Sequence, residues 1–225
     1  NEGAIKLASA YHIAQQNTHK KTIVSFKDSY YGSSFLTGSL SSAQNVMKNP
    51  LYNMDRYHNV KIIERDFEYC HKDWEDVGCI IVETCSYSGY RYPDKKEFWE
   101  KISFVQKNHD LLIIVDDILM GGGKTGNYFG WKHLPVKPDI FTMGKAITGG
   151  YFPLSVVHYN EKIKNSLPKD FVWDHGFTYS FSIPGILSAL KYLEILETEQ
   201  ILSKHNDIYN RAEETFLQNG FSLVS

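Results

Sequence analysis

Four polar side chains follow apolar runs, and their types suit proton and carbonyl chemistry. Lys145 stands in "TMGKAITGGYFPLS", with Gly144 before it and Gly149-Gly150 after it. A lysine in a tight glycine loop at a strand end can point into a pocket. Lost solvation there lowers its pKa and makes the amine a nucleophile for Schiff-base chemistry. Asp116 and Asp117 end the run "DLLIIVDD", and Glu83 ends "CIIVE". Acids leaving a buried strand need a cationic or hydrogen-bonding partner. Taken singly, the lysine also fits a surface turn, and Glu83 a loop cap.

A second lysine lies in "DDILMGGGKTGNYFG". The glycines and the Lys124-Thr125 pair suggest a phosphate-binding G-x-x-x-x-G-K-[ST] loop. Counting back from that pair puts the first required glycine at position 118, where the residue is Ile118. A β-branched residue resists the positive φ such a loop needs, and no helical run follows Thr125. A nucleotide-binding P-loop is therefore a weak reading.

The elements that must position these residues alternate. Residues 21–26, 60–64, 79–83, 110–117, 138–144 and 152–159 read as strands, and 94–108 as a helix with Phe98, Ile102 and Val105 on one face. The near-continuous apolar run at 110–117 implies a strand buried on both faces. Residues 183–218 read as helical, and "EGAIKLASAYHIAQQ" begins a helix with no capping segment before it. Strands alternating with helices predict an α/β fold with a mostly parallel central sheet. In such sheets ligands sit at the carboxyl ends of the strands, so Glu83, Asp116 and the Lys145 loop are expected to share one crevice.

Bulk properties narrow the function classes. A length of 225 residues suits one large domain or one domain and part of another. A net charge of −2 without a basic block gives no reason to expect nucleic acid or an acidic membrane surface as partner. Cys70, Cys79 and Cys85 are odd in number and lack C-x-x-C pairing, which predicts reduced thiols, no metal site and a cytoplasmic compartment. No apolar run approaches membrane-spanning length. The start at Asn1 and the end at "LQNGFSLVS" read as those of a fragment.

Together these segments resemble the class III aminotransferases, pyridoxal 5′-phosphate (PLP) enzymes of fold type I. "VDDILMGGGKTGNYF" resembles the family's D-E-V-x-T-G-x-G-R-T-G segment, and "KPDIFTMGKAITGGYFPLSVV" its lysine segment. "HGFTYSFSIPGILSALKYLEIL" resembles H-G-x-T-[YF]-x-G-[HN]-P, and "SFKDSYYGSS" resembles F-x-x-[SA]-[YF]-H-G. "IIVETCSYSGY" is similar to the apolar strand and E-P loop, and "NEGAIKLASAYH" to the helix after the phosphate-binding S-G-[ST]-E-A turn. The six segments keep the family's order and span nearly the whole chain.

The resemblance implies roles. Lys145 matches the Schiff-base lysine, which later carries a proton, and Asp116 the aspartate that pairs with the pyridinium nitrogen. Tyr30 matches the aromatic on one ring face and Ile118 the apolar residue on the other. Glu83 matches an acid near O3′ and the substrate amine. Thr178 matches the threonine that reaches the phosphate, usually from the neighbouring subunit, which implies a homodimer. His175 reads as structural. Arg91, the one arginine near an expected active-site loop, is a candidate for a substrate carboxylate. Departures are Tyr31 for histidine, Thr84 for proline, Asp117 for glutamate, Lys124 for arginine and Phe181 for glycine.

The resemblance further implies a PLP-binding large domain at 1–195, without its N-terminal part, and the start of a small domain at 196–225. The implied activity is amino transfer from an ω-amino acid or amine to a keto acid. An aminomutase or a decarboxylating aminotransferase on the same scaffold, and a truncated, catalytically silent chain, are the alternatives.

Overall fold

The computed structural model describes residues 1–42, 59–86 and 95–221. Its centre is a six-stranded sheet in the order β2-β1-β3-β4-β5-β6. The strands are β1 (Thr22–Phe26), β2 (Val60–Ile63), β3 (Val77–Glu83), β4 (Leu112–Asp116), β5 (Ile140–Met143) and β6 (Val156–Tyr159). All pairings are parallel except β5 with β6. The mostly parallel sheet and the α/β class expected from the alternation are what the chain forms.

The central strands β3 and β4 are buried along their whole length, because helices cover both faces. On one face Ile80, Val82, Ile113 and Val115 meet Phe98, Trp99, Ile102 and Val105 of α3 (Lys96–Asn108). On the other, Cys79, Ile81, Leu112 and Ile114 meet Ala4, Ile5, Leu7, Ala8 and Tyr11 of α1 (Glu2–Ala14). Side chains alternate across a strand, so Glu83 and Asp116 follow Ile81 and Ile114 onto the α1 face. Strand order reverses between β1 and β3, the crevice where ligands sit in such sheets.

Three local expectations are corrected. The helical stretch at 183–218 is two helices, α5 (Ile183–Thr198) and α6 (His205–Gln218), with a 3-10 turn at Leu202–Lys204 between them. The last strand starts at Val156, since Pro153 lacks a donor and the residues before it lie outside the ladder. The start of α1 does have a residue in the capping position, Asn1, whose side chain is used elsewhere. Two short helices, α2 (Phe35–Leu40) and α4 (Glu161–Ser166), complete the described α-helices. No helix among the described residues is long and apolar enough to cross a membrane, and Cys70, Cys79 and Cys85 form no disulfide.

Candidate active site

The site forms where β3, β4 and β5 leave the core. Glu83 pairs in register with Asp116, and Asp116 with Thr142. The three side chains form a buried polar row on the α1 face, directly beyond the apolar row of Ile81, Ile114 and Ile140. Asn1 closes the row from above. Its Nδ2 donates to Asp116 Oδ2 at 2.6 Å and to the Tyr31 carbonyl at 2.8 Å, and its Oδ1 accepts from the Thr142 hydroxyl at 2.9 Å. Asp116 Oδ1 accepts from the Ile118 N–H at 3.0 Å.

Burial pushes the Asp116 carboxyl above its ordinary range, against the Asn1 and Ile118 hydrogen bonds and the Lys145 charge. Burial raises Glu83 to about 8, helped by the neighbouring Asp116 charge; the Ser29 hydroxyl, the Tyr30 N–H and the Arg65 charge pull the other way. Glu83 Oε2 is buried with no hydrogen-bond partner among the described residues. The Tyr31 phenol donates to the Ile81 carbonyl at 3.0 Å, so the residue at the motif's histidine position is a core side chain. Asp117 is fully buried on the far side of the strand end and accepts the Gly130 N–H at 2.9 Å. Burial raises it to about 7.

Lys145 opens the 3-10 turn Lys145–Thr148 after β5 and takes φ +45°. A left-handed conformation costs a side-chain-bearing residue about 1–2 kcal/mol, and such strain collects at functional sites. Gly144 lies against Ile118: a Cβ there would sit 3.4 Å from Ile118 Cγ2. The eye-catching glycines at 121–123 serve this turn. Gly122 has φ +82°, and a Cβ on it would come within 3.0 Å of Ala146 Cβ. The Tyr192 hydroxyl holds the loop by donating to the Gly122 carbonyl at 2.6 Å. Lys124 donates to the Leu119 carbonyl at 2.7 Å. This loop packs on a lysine turn, which gives the glycines a purpose other than a phosphate cradle.

The structure thus brings together Glu83, Asp116, Ile118, the Lys145 turn and the backbone of half-buried Tyr30. Thr178 is exposed and makes none of the hydrogen bonds that hold the row. His175 packs against α1, where a Cβ on Gly3 would lie 3.0 Å from its ring, and Trp173 flanks it. Phe181, in the place of a motif glycine, keeps a left-handed φ of +61°. Arg91 lies outside the described residues. Among the described residues another arginine lies near the site: Arg65, after β2, donates to the Ser29 hydroxyl at 3.1 Å. Sequence reasoning also missed Asn1 and Thr142. An Asn at a helix start and a Thr two residues before Gly144 were the available signals.

A buried acid held by two hydrogen bonds, an unpartnered carboxylate oxygen beside it and an exposed lysine on the turn that leaves the next strand fit a cofactor with a cationic ring nitrogen and an aldehyde. The comparisons agree with that chemistry. Succinylornithine transaminase of Citrobacter koseri is 31% identical over 208 residues, covering 90% of this chain and 49% of that protein. Gamma aminobutyrate transaminase 3, chloroplastic, of Solanum lycopersicum is 26% identical over 239 residues, covering 95% and 46%. A thermostable (S)-enantioselective omega-transaminase from Thermomicrobium roseum superposes with a TM-score of 0.76 at 27% identity, covering 90% of this chain and 50% of that one. The chain spans about half the length of the curated relatives it matches. The family Aminotransferase class-III matches residues 1–220, and the chain belongs to that family.

Proposed function

We propose that the protein is the PLP-holding part of an aminotransferase that moves an amino group from an ω-amino acid or amine to a keto acid. The observation that carries this reading is the in-register pair Glu83 and Asp116, with both Asp116 oxygens held by Asn1 and the Ile118 N–H. When bound, PLP supplies an electron sink for the pair released at the substrate carbon. Lys145 would hold the cofactor through Nζ and, as a free amine, take and return the proton. Asp116 would keep a proton on the ring nitrogen, with Asn1 and the Ile118 N–H fixing its two oxygens. Ile118 and Tyr30 would pack on the ring faces, and Glu83 would face the O3′ side and the substrate amine.

Thr178 would reach the phosphate of a second copy in a homodimer. Its exposure supports this, as does the uncovered apolar stripe Ile183, Ile186, Leu187 and Leu190 along α5. Residues 1–195 would then form the large domain and 196–225 open the small one. The amine or ω-amino acid substrate rests on the names of the tomato and Thermomicrobium relatives, and the cytoplasmic location on the number and spacing of the cysteines.

The deciding experiment is the visible absorbance of the protein with added PLP. A lysine-bound band that vanishes in Lys145→Ala supports the reading, and no band in the parent protein defeats it. Sedimentation tests the dimer: a monomer that still retains PLP tightly would rule out the role given to Thr178.

A further inference from the structure

Asparagine is among the residues that helices prefer as an N-cap, where its side-chain oxygen accepts an N–H from the first turn. Asn1 stands at that position of α1, yet its side chain makes no capping bond. The amide is turned away from the helix towards the Tyr31 carbonyl at 2.8 Å, Asp116 Oδ2 at 2.6 Å and Thr142 Oγ1 at 2.9 Å. A good capping residue that does not cap must be held elsewhere by something stronger.

The partners decide which end of the amide is which. A backbone carbonyl only accepts, so the amide atom facing the Tyr31 carbonyl is the nitrogen. Its second proton goes to Asp116 Oδ2. The amide oxygen has no proton to give, so the Thr142 hydroxyl must donate to it. None of this depends on the charge of Asp116. Its Oδ2 meets the Asn1 N–H and its Oδ1 the Ile118 N–H, and a carboxyl group keeps acceptor capacity in both protonation states. Thr142 is buried on β5 in register with Asp116. Its β-branched side chain is stiff, so the hydroxyl is a fixed donor.

We infer that Thr142 is a positioning residue for Asp116: its hydroxyl draws the Asn1 amide off the helix cap and onto the Asp116 carboxyl. Asn1 Oδ1 has two kinds of donor to choose between, the Thr142 hydroxyl and the N–H groups that open α1. Without the hydroxyl, Oδ1 is left without its donor inside the row, which is costly, and the cap becomes the better place. Asp116 then keeps the Ile118 N–H and loses the Asn1 contact, so its carboxyl is free to turn. The part Asp116 plays with a cofactor rests on the proposed function; the Thr142–Asn1–Asp116 arrangement does not.

The test is hydrogen exchange of the Asn1 side-chain amide, read by NMR in the intact protein carrying nitrogen-15 asparagine before any PLP is added. The signal is assigned by its loss in Asn1→Ser. Both amide protons are expected to be protected in the parent and in Thr142→Ser, and to exchange roughly tenfold faster in Thr142→Val. Parent-like protection in Thr142→Val overturns the inference, and so does lost protection in Thr142→Ser, which keeps the hydroxyl. If Thr142→Val fails to fold, Thr142→Ala takes its place with the same outcomes. In protein loaded with PLP labelled at the ring nitrogen, Thr142→Val and Asn1→Ala should move the nitrogen-15 shift in the same direction. Each should weaken PLP binding roughly five- to tenfold, and the double variant should be no weaker than Asn1→Ala. Additive losses would mean that Thr142 acts by another route and would overturn the inference. A parent protein that takes up no PLP but shows the expected exchange pattern would leave the arrangement standing and defeat the proposed function.

Discussion

Asp116 and Asp139 are equally buried, each 6% exposed, yet they sit at opposite ends of the sheet in opposite circumstances. Asp139, at the amino edge, is saturated. The Ile113 N–H and Gln106 Nε2 reach its Oδ2, and Asn160 Nδ2 reaches its Oδ1, all at 2.9 Å. Asp116, at the carboxyl edge, has two donors and a second buried acid, Glu83, directly across the ladder. The amino edge spends its acid on joining β4, β5, α3 and the start of α4. The carboxyl edge holds its acids close together under partial satisfaction, which burial alone does not require. Crowding two acids into one buried row pushes both carboxyls above their ordinary range, and a cationic ring bound there would offset the cost of ionising them.

The sharpest way to break this comparison is to remove each acid. Asp116→Ala is expected to lower transaminase activity by on the order of 10²–10³-fold, the range for losing one preorganised electrostatic partner. Its stability without cofactor should change by no more than about 1 kcal/mol, since lost hydrogen bonds are balanced by relief of a buried charge. Asp139→Ala should do the reverse. It strands the Ile113 N–H in the core and should cost about 2–4 kcal/mol in denaturant unfolding. Equal stability losses in the two variants would mean that both edges are merely structural.

Glu83 sharpens the comparison through pH. Its folded-state value is about 8 against an ordinary 4.5, so folding favours the protonated acid. The stabilisation is fully present below about 4.5 and is lost as pH rises through about 8. Asp117, raised to about 7, acts in the same direction. Glu83→Gln should remove its share of this slope, so that relative to the parent it gains roughly 2–4 kcal/mol between pH 5 and pH 8. Parallel stability–pH curves for the two proteins would show that Glu83 is not held protonated by the fold.

How far the sequence disclosed this arrangement depended on the range of the signal. The apolar runs ending at Glu83 and Asp116 marked both strands. Their places at strand ends put both acids at one edge of the sheet, while the face they share came only with the register that pairs Glu83 with Asp116. The glycines around Lys145 marked its turn. The partners of these residues carry no local signature. Asn1 lies 115 positions from Asp116 and 141 from Thr142, and Arg65 lies 36 from Ser29. Periodicity says which face a residue takes, but not which loops meet over it. Helix ends were hidden for a different reason. α1 and α5 close on left-handed glutamines, Gln16 at φ +59° and Gln200 at φ +52°, where glycine is the usual marker.

Gln16 offers the smallest test and a control at the amino edge. After the last residues of α1, the Asn17 N–H donates to the His12 carbonyl at 2.8 Å and the Gln16 N–H to the Ile13 carbonyl at 3.0 Å. These are the two bonds of a Schellman C-cap, with Gln16 at the position glycine favours. A left-handed side-chain-bearing residue costs about 1–2 kcal/mol, while glycine returns about 0.4–1 kcal/mol of that through a freer unfolded chain. Gln16→Gly should therefore stabilise the protein by roughly 0.5 kcal/mol, read as a small rise in denaturation midpoint with unchanged slope, and leave cofactor binding untouched. Lys145 carries the same kind of strain at the carboxyl edge, and no substitution relieves it without removing the amine. A destabilised Gln16→Gly would mean that the strain at Gln16 is offset by side-chain contacts, and the contrast between removable strain at one edge and retained strain at the other would fall.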